Sequence, residues 1–112
     1  MKNLRFHSDA ETEMIDAANH YEAQQIDLGK RFLLSVQEAV GRIQINPPLY
    51  PTIVFDVRRC LTHTFPYGIL FRILESEIVV IAVMHLHRNP DYWKERFNPL
   101  HVRTRSGAPS PT

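Results

Sequence analysis

The stretch Val79–Trp93 constrains this chain more than any other. It opens with Val79-Val80-Ile81-Ala82-Val83-Met84, apolar and rich in β-branched residues. The run is far short of the ~20 residues that cross a bilayer, so it predicts a buried strand. His85, His87 and Arg88 arrive where that strand leaves the core, and Asn89-Pro90 ends it. Ionisable groups at the end of a rigid strand are held by a scaffold yet reach solvent, a common place for binding or catalytic groups. The rest of the chain reads as the platform that carries this strand end.

Upstream, Asn3–His7 alternates, with Leu4 and Phe6 on one side and Arg5 and His7 on the other, which predicts a half-buried strand. Ser8 and Glu11 form a capping-box pattern opening a helix over residues 8–25. Ala10, Met14, Ala17, Ala18 and Tyr21 fall on one face of it. Gln25-Ile26-Asp27 is a tight link. A second helix then runs from Leu28 through Phe32, Val36, Val40 and Ile43 to the stop at Asn46-Pro47-Pro48. Helices joined so closely form an antiparallel hairpin. Strands are predicted over Phe55–Leu61, Tyr67–Leu74 and Ile78–Leu86, with turns at Thr64–Pro66 and Glu75–Glu77 and a terminal helical turn within Asp91–Phe97. The expected class is α+β: a helical hairpin on one face of a mostly antiparallel four-stranded sheet, with a short C-terminal helix. Residues 1–97 form the domain. Residues 98–112 lack apolar anchors and read as a disordered basic tail.

At 112 residues a single domain is expected, burying about two thirds of its unfolded surface. Cys60 is the only cysteine, which rules out an intramolecular disulfide and points to a reducing cytoplasm. No ligand spacing links His7, His20, His63 and His101, so neither metal nor cofactor is expected, and nothing suggests a membrane. The net charge of +1 hides an asymmetry. Residues 1–27 carry two basic and six acidic residues, whereas residues 56–112 carry eight basic and five acidic. Ten of the thirteen basic residues are arginines, the type suited to bidentate anion contacts, though solubility alone would also explain them.

Arg59 alternates with Phe55, Val57 and Leu61, an arginine on an apolar face. Such a charge needs a partner or a rim. A structural ion pair, for instance with an acid of the first helix, is the preferred reading, and a binding surface the other. Arg58 faces the opposite way and is the better functional candidate. Tyr92 and Trp93 pin the C-terminal turn, Cys60 is a core thiol, and Tyr67 packs at its turn or stacks on a partner.

Taken in order, Phe6-His-Ser-Asp-Ala-Glu, Tyr21-Glu, Leu28-Gly-Lys-Arg-Phe, Asn46-Pro-Pro-Leu-Tyr-Pro, Val57-Arg-Arg-Cys-Leu, Phe65-Pro-Tyr and His85-Leu-His-Arg-Asn-Pro-Asp-Tyr-Trp resemble the RelE/ParE superfamily of toxins from bacterial type II toxin–antitoxin modules. The resemblance spans about residues 4–97. It implies growth arrest, neutralised by a cognate antitoxin laid across the toxin. ParE-like members inhibit DNA gyrase by binding it; RelE-like members cut mRNA on the ribosome. The long hairpin, Arg-Arg-x-Leu, Phe-Pro-Tyr and Tyr-Trp look ParE-like, and the absence of lysine between Lys30 and Lys94 weakens the nuclease case. The implied target-binding set is Arg58, Arg59, Tyr67, Arg72, His85, His87 and Arg88. No direct specific DNA binding by this chain alone is expected.

If the chain were a ribonuclease, His87 or Tyr92 would move protons while Arg72 and Arg88 held the phosphate. By alternation His85 and His87 share a face, and His85 beside Val83 reads as a scaffold histidine. Ile15, Leu34 and Ile45, left over on the hairpin, are the candidate antitoxin-binding positions. A non-toxic interaction module is the remaining alternative.

Overall fold

Five strands and two long helices carry the predicted patterns into space, in a computed structural model that describes residues 2–88 and 91–97. They are β1 (Asn3–Phe6), α1 (Ser8–Gln24), α2 (Leu28–Ile45), β2 (Thr52–Val54), β3 (Val57–Leu61), β4 (Tyr67–Ile73) and β5 (Glu77–His85). Short 3-10 turns occupy Pro47–Leu49 and Lys94–Phe97. The sheet order is β1-β5-β4-β3-β2, with β1 parallel to β5 and all other pairs antiparallel.

The fifth strand, β2, was not legible as a strand. Thr52–Val54 pairs with β3, and Phe55-Asp56, expected inside a strand, forms the hairpin tip instead. Phe55 sits there at φ 48° and is 80% exposed. Positive φ favours glycine or asparagine, so a phenylalanine at that position gives no turn signal.

The start of α1 also differs from expectation. The N-cap is His7, whose Nδ1 accepts the Asp9 backbone N–H at 3.0 Å, and Ser8 is already the first helical residue. At the link, Asp27 adopts φ 68°. The Glu22 carboxylate accepts the backbone N–H groups of Asp27 (2.9 Å) and Gly29 (3.0 Å), bracing the reversal. Gly29 is needed because an added Cβ would run into the Ala18 carbonyl oxygen of the facing helix.

The hairpin buries Ala10, Ala17, Phe32, Val36, Ala39 and Ile43 against Cys60, Ile69, Phe71, Ile78, Val80 and Val83. The other sheet face buries Val57, Leu70, Val79, Ile81, Ala82 and Met84 beneath Trp93, which is only 1% exposed. Strand β5 is therefore covered on both sides, which accounts for its unbroken apolar run. A β-bulge sets its parity: Phe71 opposes Val80 while Leu70 opposes Ala82, leaving Ile81 extra. Ile81 and Ala82 both join the Trp93 side, and Val83 returns to the helix side. The strand ends at His85, so His87 lies in the following turn rather than on a strand face. The expected tail over residues 98–112 and the break at Asn89-Pro90 lie outside the described residues.

Candidate functional site

The functional candidates gather where β5 outruns β1. Pairing between the two stops at Phe6 opposite Val80, and the chain then turns into α1. Side chains satisfy the strand edge beyond that point. Glu13 Oε1 accepts the Val83 N–H at 3.0 Å, and Arg96 Nη1 donates to the Ile81 carbonyl at 3.0 Å. Arg96 forks onto Glu13 at 2.9 and 3.0 Å and stands 3.7 Å from Asp9. One acid of α1 and one arginine of the terminal turn thus stand in for a missing strand.

Sequence reasoning missed this pair. The available signal was Glu13 itself, three residues after Ala10 and four before Ala17, an acid on the apolar stripe of its helix.

Arg88 joins the same cluster, 3.8 Å from Glu13, with its guanidinium 3.7 Å from the centre of the Tyr92 ring. Burial, and next the neighbouring Glu13, push the Tyr92 phenol well above its ordinary range. His85 is half-buried, its ring 5.2 Å from Tyr67. It shares a small cleft with Glu13, Asp16, Val83 and Arg88. Its Nδ1 accepts the His87 backbone N–H at 3.1 Å, which leaves Nε2 to carry the proton when the ring is neutral. His87 is exposed, 5.3 Å from His85 ring to ring. Tyr67 belongs to an aromatic group with Phe32 (4.9 Å) and Tyr21 (6.3 Å), and burial raises its pKa.

The strand arginines divide differently. Arg58 donates to the carbonyls of Pro48 (3.2 Å) and Tyr50 (2.6 Å), tying β3 to the loop after α2. Arg72 forks onto Asp56 at 3.1–3.2 Å. Arg59 lies on the face opposite the helices, with no ion pair or side-chain hydrogen bond among the described residues, so the expected ion pair with an acid of α1 does not form. Arg88 and Arg96 take that acid instead.

Along β5, Arg72 stands opposite Val79 and Tyr67 opposite His85. On β4, which carries no extra residue, five residues separate Tyr67 from Arg72, roughly 17 Å at the usual rise. The structure therefore brings Tyr67, His85, His87, Arg88 and Tyr92 to one end of the sheet, leaves Arg58 and Arg72 away from them, and sets Arg59 on the face opposite the helices, across Gly68 and beside Met84 and Trp93.

On the hairpin, Ile15, Leu34 and Ile45 are 48%, 53% and 76% exposed. Leu34 lines a cleft of about 390 Å³ between α2 and the β3–β4 loop, with Leu28, Arg31, Glu38, His63 and Phe65. Its polar rim is Glu38, bonded to Arg42 at 2.7 Å and 3.6 Å from His63. Arg42 holds the Glu38 carboxyl below its ordinary range. Cys60 is buried, and that burial pushes its thiol up. Among the described residues no three His, Cys, Asp or Glu side chains cluster as metal ligands. No helix there is long and apolar enough to cross a membrane.

Comparison with known proteins gives two findings. The family model for the ParE toxin of the parDE type II toxin–antitoxin system matches residues 4–90. A chain of the chromosomal ParDE TA system from P. aeruginosa superposes with a TM-score of 0.65 at 19% identity, covering 78% of this chain and 98% of that one. No curated protein matches.

Proposed function

This chain belongs to the ParE toxin family of type II toxin–antitoxin systems, and from that premise we propose that it arrests growth by binding and inhibiting DNA gyrase, without catalysis of its own. A cognate antitoxin holds it inactive. The fold it shares with a chain of a ParDE TA system supports that partner.

The observation that carries the reading is that neither arginine a ribonuclease would use stands open beside the histidines to hold a phosphate. Cleavage by a 2′-hydroxyl requires a base, an acid and phosphate-holding cations within a few ångströms of one another. Here Arg72 stands roughly 17 Å along the sheet from the His85 position and is bonded to Asp56. Arg88 is stacked on Tyr92. The Tyr92 phenol is pushed upward, away from the near-neutral pKa that suits proton transfer. What remains at the β5 end is a rigid surface of His85, His87, Arg88 and Tyr67, suited to binding. The exposed hairpin positions Ile15, Leu34 and Ile45 are the surface we assign to the antitoxin.

The test is pulse labelling of DNA and protein synthesis after inducing this chain alone in a bacterial host. A supercoiling assay with purified gyrase would run beside it. DNA synthesis should fail first, and supercoiling should fall with added protein. Protein synthesis failing first, with mRNA cut, would overturn the reading in favour of a ribosome-dependent endoribonuclease.

A further inference from the structure

Four arginines sit on strands: Arg5, Arg58, Arg59 and Arg72. Arg5 is bonded to Glu77, Arg58 to two carbonyls and Arg72 to Asp56. Among the described residues Arg59 alone of the four has no side-chain partner, although it is partly buried. Its placement is built in. The Arg59 stem lies across Gly68 of β4, where an added Cβ would stand 3.0 Å from Cδ and 3.1 Å from Cγ. Gly68 thus gives the side chain room to lie flat on the sheet.

Arg59 lines a cleft of about 260 Å³ on the face away from the helices. Ile53 and Val54 of β2, Met84 and the buried Trp93 supply its apolar lining. Asp91 and Lys94 complete the lining, paired with each other at 2.9 Å, so their charges cancel. One positive charge is left over, in surroundings that strengthen its attraction for a counter-ion. Beside the cleft runs β2, a three-residue edge strand with exposed Thr52 and Ile53. An edge strand accepts an extended segment by backbone pairing.

We propose that the Arg59 cleft is a carboxylate-recognition site, taking an Asp or Glu side chain from a protein segment laid along β2. A carboxylate matches the single surplus charge and the bidentate fork. The apolar walls match the alternate side chains of an extended peptide. They do not match a nucleic-acid backbone, which is followed by several cations on an open surface. The inference goes beyond gyrase inhibition and holds whichever protein supplies the acid.

The test is NMR observation of the arginine Nε–Hε resonances of the full chain. It would be titrated with blocked acetyl-Thr-Val-Glu-Val-Thr-amide, its Gln counterpart, and dimethyl phosphate. The Glu peptide should shift the Arg59 signal saturably at millimolar concentration, and the Gln peptide should not. Arg59→Lys should weaken binding about tenfold, since a single ammonium cannot reproduce the fork. Gly68→Ala, which leaves the charge untouched but displaces the stem, should weaken it as well and keeps the test open if Arg59 variants fold poorly. Equal response to Glu and Gln peptides would overturn the proposal. So would unchanged affinity in Gly68→Ala, or tighter binding of dimethyl phosphate, which would mark a phosphodiester site.

Discussion

Glu13 holds more of this structure together than its place on a surface helix suggests. Its two oxygens satisfy the Val83 N–H and the Arg96 fork, and its side chain is only 13% exposed. Removing it leaves a backbone donor and a guanidinium without their acceptor. Glu13→Ala should cost about 3 kcal/mol, the low end for breaking a largely buried pair. Asp16→Ala, one exposed turn position away, should stay within about 0.5 kcal/mol. Urea unfolding of the two variants checks the contrast, and equal midpoints would deny Glu13 this role. Tyr92 carries a pH dependence at the same scale. Its folded phenol titrates above the 10.0 of the free side chain, chiefly through burial. Beyond that pH the unfolded chain loses a proton that the folded chain keeps, so stability falls as pH rises past 10. Tyr92→Phe should therefore flatten the alkaline limb of stability while changing little near neutrality. An unaltered limb would show that the phenol is not held neutral.

Helix α2 offers two glycines with opposite expectations. Gly29→Ala drives a methyl into the Ala18 carbonyl of α1 and should cost about 2 kcal/mol, the usual scale of overpacking. At Gly41 an added Cβ meets nothing within 4 Å, so Gly41→Ala should stabilise by about 0.5–1 kcal/mol through helix propensity alone. Thermal melts of both variants decide it; the same sign for both would mean that the helices do not approach closely at Gly29. The elements themselves were largely legible. Helical periodicity and the Pro47-Pro48 stop gave α2, and the uninterrupted apolar run gave β5. What escaped was local geometry decided by tertiary context. The Phe55-Asp56 tip puts a phenylalanine at the positive-φ position, where no glycine or asparagine announces it. The bulge at Ile81 resets side-chain parity without leaving any mark in composition. The cap is the His7 imidazole, which accepts the Asp9 N–H, and Ser8 is already inside the helix.

The whole molecule is a sheet with two unlike covers, and this decides what each surface is free to do. Among the described residues one face is covered by the hairpin and the other is packed by the terminal turn through Trp93, so Trp93→Ala should cost about 3–5 kcal/mol. In a domain whose total stability is of the order of 5–15 kcal/mol, that threatens the fold itself, and loss of the near-ultraviolet circular dichroism would report it. The candidate site was only half legible for the same reason. Sequence placed His85, His87 and Arg88 together at the end of β5. It could not say that Arg58 and Arg72 are spent on internal partners, because carbonyls and Asp56 meet them only once the sheet is assembled. The outer hairpin surface is different, since Leu34 is exposed and lines a cleft without joining the core. If that cleft receives an apolar anchor of the antitoxin, Leu34→Asp should leave folding within about 0.5 kcal/mol. It should lower antitoxin affinity at least about tenfold, through loss of a buried apolar contact and the addition of an unpaired charge. Growth arrest by the variant without antitoxin should match that of the parent chain. Antitoxin titration by calorimetry, beside plating after induction, separates the outcomes. Unchanged affinity would move the antitoxin off this cleft, and lost toxicity would mean that target and antitoxin compete for the same helical face.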